Sequence, residues 1–242
     1  FFKNFLVRLE RKAALPHIVI RDLITNEEHT ISFDEEAYDL TLNPGYEYST
    51  TVIRFAYSSP KTPQQVYDYD MATRQRILRK EQEVPSGHDP KKYVCRRIMA
   101  PSQDGAEIPV TILYHKETPI DGSAAMLLYG YGAYGYAMPA AFSPNIFSLV
   151  DRGMIYAIAH IRGGTDGGYG WYLNGKLDKK KNTFFDFITA AEYLIAKNYT
   201  TKGNIVGQGR SAGGMLMGAV ANMRPDLFKG IIGEVPFVDV IN

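Results

Sequence analysis

Gln208-Gly209-Arg210-Ser211-Ala212-Gly213-Gly214 is the stretch on which the reading of this chain turns. Before it, Asn204-Ile205-Val206-Gly207 has the composition of a short strand, and after it Met215-Leu216-Met217-Gly218-Ala219-Val220-Ala221-Asn222 suits a helix. Strand, G-x-S-x-G, helix is the order of a nucleophile elbow. The serine is forced onto a sharp turn, and the flanking glycines remove Cβ atoms that would collide there. Ser211 is therefore the candidate nucleophile, its hydroxyl projecting from the sheet. The competing reading is a serine in a Gly-rich structural turn.

Outward from the elbow, strand-like and helix-like segments alternate. Residues 125–129, 154–160 and 230–235 read as strands, 143–152 as a helix, and 183–196 as an amphipathic helix with Asp186 in its first turn. Such alternation demands crossover connections, hence an α/β fold with a parallel sheet and helices on both faces. Ligands in these sheets sit beyond the carboxyl ends of the strands. The elbow, Tyr129-Gly130-Tyr131 and His160-Ile161-Arg162 all fall at ends of that kind. Just upstream, 93–99 and 108–115 form a hairpin about Asp104-Gly105.

The first third has a different grammar. Strand signals at 5–9, 17–20 and 30–33 are followed by a similar unit at 51–55, 66–70 and 76–78. Asp22-Leu23-Ile24-Thr25 and Asp70-Met71-Ala72-Thr73 repeat a D-x-x-T turn at a separation of the roughly 40 to 50 residues typical of propeller blades. A β-sandwich would produce similar hairpins, so both all-β architectures stay open at this point. Residues 81–92, with Pro85, Ser86, Gly87 and Pro90 among charges, read as a linker. The boundary is placed near Pro85, dividing the chain into 1–85 and 86–242.

The 242 residues carry 27 basic and 26 acidic side chains, a net charge of +1, so no global field draws the chain to nucleic acid or to an anionic membrane. A single cysteine, Cys95, excludes an internal disulfide framework and points to a reducing, cytoplasmic compartment. No stretch approaches the roughly 18 to 20 apolar residues of a membrane span, and the first residues do not read as a signal peptide. Because the chain opens on Phe1 rather than Met, it reads as part of a longer protein.

Other motifs weigh less. Gly130-Tyr131-Gly132-Ala133-Tyr134-Gly135 matches a dinucleotide fingerprint, yet Tyr136-Ala137-Met138-Pro139 is a poor helix start and the acid expected after the next strand is missing. The loop can instead bring Tyr131 to the elbow, where its phenol and the Ala212 N–H would serve a tetrahedral oxyanion; the alternative is a loop whose rings only pack. Arg162-Gly163-Gly164 and Lys179-Lys180-Lys181 are read as solvated charge and loop. His17, His29, His88, His115 and His160 show no metal-ligand spacing, and no metal or cofactor is expected. In this fold the triad runs Ser, then Asp or Glu, then His. His160 precedes Ser211 and is expected to be structural; no histidine follows Ser211, and Asp226 and Asp239 come too early to be the acid.

Read together, Tyr129-Gly130-Tyr131-Gly132, Ile161-Arg162-Gly163-Gly164, Trp171, Lys179-Lys180-Lys181-Asn182-Thr183-Phe184, the elbow, Arg224-Pro225-Asp226-Leu227-Phe228 and Val235-Pro236-Phe237-Val238-Asp239 resemble the prolyl oligopeptidase family of serine peptidases, within it most closely the oligopeptidase B branch. The resemblance implies the last blades of a β-propeller (1–85) and the first part of an α/β-hydrolase domain (86–242), with the triad Asp and His beyond Asn242. It implies a serine oligopeptidase acting on short peptides, with Ser211 as nucleophile, Tyr131 and the Ala212 N–H as oxyanion hole, and Tyr134 and Phe237 lining the pocket before the scissile bond. It also implies cleavage after Arg or Lys, although Ala137-Met138-Pro139-Ala140-Ala141, where some members carry acids, holds no carboxylate. The alternatives are a carboxylesterase on the same scaffold and a catalytically dead interaction module.

Overall fold

The computed structural model describes residues 1–239. Two antiparallel sheets come first. One joins β1 (Phe5–Lys12), β2 (Leu15–Asp22) and β3 (Glu28–Thr30); the other is a four-stranded meander of β4 (Asp39–Asn43), β5 (Val52–Ser58), β6 (Gln65–Asp70) and β7 (Arg76–Glu81). They share one core, in which Ile18, Ile20, Ile53 and Phe55 are fully buried. The repeated D-x-x-T turns are the same structure twice. Asp22 Oδ1 accepts from the N–H groups of Ile24 and Thr25 at 2.7 and 3.0 Å, and Asp70 Oδ1 accepts from those of Ala72 and Thr73 at 2.9 and 2.8 Å. Each turn holds its aspartate ionised by donating backbone N–H groups to the charge, and both carboxyls titrate below their ordinary value. This places β2–β3 in correspondence with β6–β7, as in successive propeller blades.

The second sheet system is mixed. Its order is β13 (Phe228–Glu234), β12 (Ile205–Arg210), β10 (Met126–Gly130), β11 (Ile155–Ala159), β9 (Glu107–His115), β8 (Tyr93–Pro101). β13, β12, β10 and β11 run parallel, while β9 lies antiparallel to both β11 and β8. The expected parallel sheet is thus present, and the 93–115 hairpin extends it at one edge. Met126, Leu127 and Leu128 of the central β10 are buried in succession, as a strand covered on both faces requires. After the short α2 (Tyr169–Leu173), α3 (Lys181–Ala196) buries Thr183, Phe187, Ile188, Ala190, Ala191 and Leu194 along one stripe. A Cβ at Gly130 would lie 2.7 Å from the Phe187 ring, so that stripe closes directly onto the end of β10. Burying Phe187 alone is worth about 1.5 to 3 kcal/mol.

Three expectations are corrected. Residues 143–152 hold only a 3-10 turn at Pro144–Ile146 and one turn of helix, α1 (Phe147–Val150), because Pro144 and Gly153 bound it closely. Strand β3 ends at Thr30, earlier than the 30–33 signal. The helix expected from 183 begins at Lys181, which moves Asp186 to its second turn. Among the described residues no helix is long and apolar enough to cross a membrane.

Candidate active site

Because β10, β11, β12 and β13 are parallel, their carboxyl ends converge on one edge, and each continues into a segment singled out above: Tyr131, His160, Ser211 and the 235–239 stretch. Ser211 joins β12 to α4 (Ala212–Met223) with φ 55° and ψ −116°, a conformation that costs an L-residue of order 1 to 3 kcal/mol. The surroundings enforce it. The Ser211 N–H donates to Glu234 O at 2.9 Å, and Ser211 O accepts from the Gly214 N–H at 2.8 Å. A Cβ at Gly209 would collide with the Gly213 carbonyl, and one at Gly213 would sit 2.7 Å from Gly130 O. One at Gly214 would meet Pro236 Cα at 2.5 Å. The result is an exposed serine whose hydroxyl has no hydrogen-bond partner among the described residues.

The Ala212 N–H belongs to the first turn of α4, where backbone donors have no intrahelical acceptor and the helix dipole favours negative charge. Tyr131 approaches the same turn: a Cβ at Gly213 would lie 3.4 Å from its Cα and 3.5 Å from its ring. Its ring packs edge-on against Tyr136 at 5.8 Å. Burial, with Tyr134 and Tyr136 nearby, raises its phenol above the ordinary value, so at neutral pH it is a hydrogen-bond donor. Ala212, Tyr134 and Phe237 line one cleft of about 220 Å³ together with Ala133, Lys180 and Met215. Among the described residues, the lining of this cleft includes two lysines, Lys176 and Lys180, and no carboxylate.

The loop from Gly130 onward does not open a helix. Gly132, Tyr134 and Gly135 all have positive φ, and the chain stays irregular as far as Ser143. Gly135 N donates to Gly163 O at 2.9 Å, and Thr165 Oγ1 donates to Gly135 O at 2.7 Å, so the loop is braced by the 161–166 segment. The 130–135 loop therefore lacks the helix start that a dinucleotide fingerprint requires.

His160 is fully buried: its Nε2 lies 2.8 Å from Thr111 Oγ1 and its Nδ1 3.0 Å from Asp166 Oδ1. It is a structural histidine. Arg162, in contrast, is not a solvated loop charge. It is 6% exposed; its Nε and Nη2 donate to the Asp186 carboxylate at 2.9 and 2.5 Å and its Nη1 to Asp104 at 2.5 Å. Burial opposes its charge, and the bonds to Asp186 and Asp104 outweigh that opposition. Asp186, at the fully buried end of the pair, was the available signal: a carboxylate on the apolar stripe of α3 requires a cation. Nor is Lys180 a solvated charge: it is half-buried beneath the tyrosine loop. Cys95 is buried, and burial pushes its thiol up to about 12, which removes it as a rival nucleophile. Among the described residues no group of His, Cys, Asp and Glu is arranged to hold a metal ion.

Comparison with known proteins converges on the same picture. Residues 1–82 match the family model for the prolyl oligopeptidase N-terminal beta-propeller domain, and 140–242 match that for the prolyl oligopeptidase family. Dipeptidyl aminopeptidase BI of Pseudoxanthomonas mexicana is 44% identical over 99% of this chain and 33% of its own length. Oligopeptidase B from Leishmania major superposes with a TM-score of 0.91 at 39% identity, over 99% of this chain and 35% of that one. The Trypanosoma brucei oligopeptidase B, in its closed form with covalently bound antipain, gives the same TM-score of 0.91, identity of 39% and coverage of 99% and 35%. The chain therefore spans about a third of the length of these relatives. Propeller blades followed by an α/β-hydrolase sheet, matched by both models and by relatives along almost every residue, place the chain in the prolyl oligopeptidase family.

Proposed function

We propose that the protein containing this chain is a serine oligopeptidase that cleaves short peptides through an acyl-enzyme on Ser211. The observation that carries the reading is the conformation of Ser211: exposed, at φ 55°, between glycines that cannot accept a Cβ, at the carboxyl edge of a parallel sheet. That combination presents an oxygen to solvent at a cost in strain that a merely structural turn has no use for. Covalently bound antipain on the similar T. brucei structure supports a covalent mechanism.

The Ser211 oxygen attacks the scissile carbonyl carbon while its proton passes to a general base. Negative charge gathers on the carbonyl oxygen, where the Ala212 N–H and the Tyr131 hydroxyl donate to it. The C–N bond breaks as the amine leaves with the proton. Water, deprotonated by the same base, then attacks the ester and returns the serine. His160 is sealed by Thr111 and Asp166 and is not available as that base; the family resemblance assigns the role to a histidine of the full-length protein. Tyr134 and Phe237 form walls for the side chain preceding the scissile bond.

We assign a preference for Arg or Lys at that position on the likeness to oligopeptidase B. The cleft contributes no carboxylate from the described residues, so the acids that would hold a basic side chain come from elsewhere in the protein. The test is a panel on the full-length protein: blocked peptides with Arg, Lys or Pro before the cleaved bond, their free-amino dipeptidyl counterparts, and an ester of the same acyl group. Preferred turnover of blocked Arg and Lys peptides is expected. Preference for free-amino dipeptidyl substrates would replace the endopeptidase reading with a dipeptidyl one, and activity confined to the ester would replace both.

A further inference from the structure

Resting on the Ser211 and Tyr131 assignments above, we infer that Lys180 is a positioning residue for the oxyanion side of the site, its ammonium holding the Gly132 carbonyl and thereby both tyrosines that flank that peptide. The Lys180 Nζ reaches back from the start of α3 and donates to Gly132 O at 2.5 Å and to Thr183 Oγ1 at 3.2 Å. Thr183 in turn donates to Arg162 O at 2.8 Å and to Gly175 O at 3.2 Å, so the lysine stands on a fixed acceptor. Gly132 has φ +66°, and a Cβ there would strike Thr183 and lie 2.8 Å from Ile161. A Cβ at Gly163 would strike Gly132 O from the other side. The Gly132 peptide is thus packed above and below, and among the described residues the side chain that satisfies its carbonyl is Lys180.

The position of this bond matters more than its strength. Gly132 follows Tyr131 directly and is two residues from Tyr134, so one anchor sets a proposed oxyanion donor on one side and a wall of the Ala212–Phe237 cleft on the other. The second half of the loop has its own braces at Gly135, and Met138 N donates to Asp166 Oδ1 at 3.1 Å. The first half depends on Lys180. A charge-assisted bond to a carbonyl is about twice as strong as a neutral one. Burial brings the Lys180 amine down to about 8, so its charge titrates in a range where kinetics can be measured. The titratable groups facing it are Tyr134 from the loop and Tyr172 and Lys176 across the cleft. The Lys176 ammonium is committed to the Tyr172 ring at 4.3 Å, and Lys179 and Lys181 flank it on its own element. Behind Thr183, the buried Arg162 is paired with Asp186 and, on its other side, with Asp104.

The experiment uses the full-length protein and a blocked peptide substrate, with Lys180→Met, Lys180→Arg and Ser211→Ala measured side by side for kcat, KM and thermal unfolding. Lys180→Met is expected to lower kcat about tenfold to a hundredfold, the scale of a small misplacement of a catalytic group, with KM little changed. Wild-type kcat is expected to fall as pH rises through about 8, and that fall is expected to be absent in Lys180→Arg, which stays charged. Wild-type kcat in Lys180→Met overturns the inference, as does a raised KM at unchanged kcat. If Lys180→Met does not fold, Lys180→Arg decides: a basic limb left at its wild-type position overturns the inference, and its disappearance upholds it. Turnover retained by Ser211→Ala would bring down the nucleophile assignment and this inference with it. A dead Ser211→Ala beside a fully active Lys180→Met would bring down the inference alone.

Discussion

Two hydroxyl residues in this molecule invite comparison. Thr111, His160 and Asp166 are linked hydroxyl to imidazole to carboxylate at 2.8 and 3.0 Å, the hydrogen-bond pattern of a catalytic triad. Ser211 has no such chain among the described residues. Yet Thr111, His160 and Asp166 are 2%, 0% and 1% exposed, on unstrained backbone, with Asp166 already accepting from Met138 N. Ser211 is exposed, strained, and placed at a helix N-terminus whose first turn packs, at Gly213, against the Tyr131 ring. The pattern of bonds is therefore a poor guide to reactivity. Access, backbone strain that aims the oxygen, and helix N-terminal donors distinguish the proposed nucleophile from a satisfied core network.

That contrast can be broken at several points, each measured on the full-length protein. If Ser211 is the proposed nucleophile, Ser211→Ala should reduce kcat by about six orders of magnitude, the scale seen for triad serines, whereas Thr111→Val should leave kcat intact. Tyr131→Phe removes a proposed oxyanion donor and should cost about 2.7 to 4 kcal/mol in transition-state stabilisation, with KM nearly constant; unchanged turnover would show that the ring only packs. Gly213→Ala drives a Cβ to 2.7 Å from Gly130 O, and kcat should fall at least about a hundredfold. Gly218→Ala on the same helix meets nothing closer than 3.8 Å and should be active and slightly more stable. Thr111→Val leaves a buried His160 nitrogen unpaired, so denaturant titration should show a loss of about 1 to 3 kcal/mol. The last effect concerns pH. Lys180 titrates near 8 in the folded protein and near 10.5 in the unfolded chain, so between those values the unfolded chain holds more protons. Stability should therefore rise across that window, and Lys180→Met should flatten the rise.

The elbow was legible because its requirements are local: a glycine two residues either side of a serine, between a strand and a helix, specifies a turn that few other residues can make. The sheet was legible for a related reason, since buried parallel strands such as 126–128 are continuous apolar runs. The twin aspartate turns were legible because Asp22 and Asp70 act on their own backbone two and three residues on. What stayed hidden depends on distant partners. Arg162 is a surface charge by composition; only its meeting with Asp186, 24 residues later, makes it a core residue. Lys180 belongs to a basic triplet, but extending the buried stripe Thr183, Phe187 and Ala190 backward by three residues lands on it, a periodic signal outvoted by charge. The apolar spacing over 143–152 suits a longer helix than forms, because Pro144 and Gly153, the latter at φ 85°, bound it.

The most direct test is to treat the full-length protein with a fluorophosphonate and map the adduct by tandem mass spectrometry, in the wild type and in Ser211→Ala. A single stoichiometric adduct on Ser211, absent from the variant, is the expected result. An adduct on another residue, or labelling of Ser211→Ala at the wild-type rate, would contradict the assignment of Ser211 as the nucleophile.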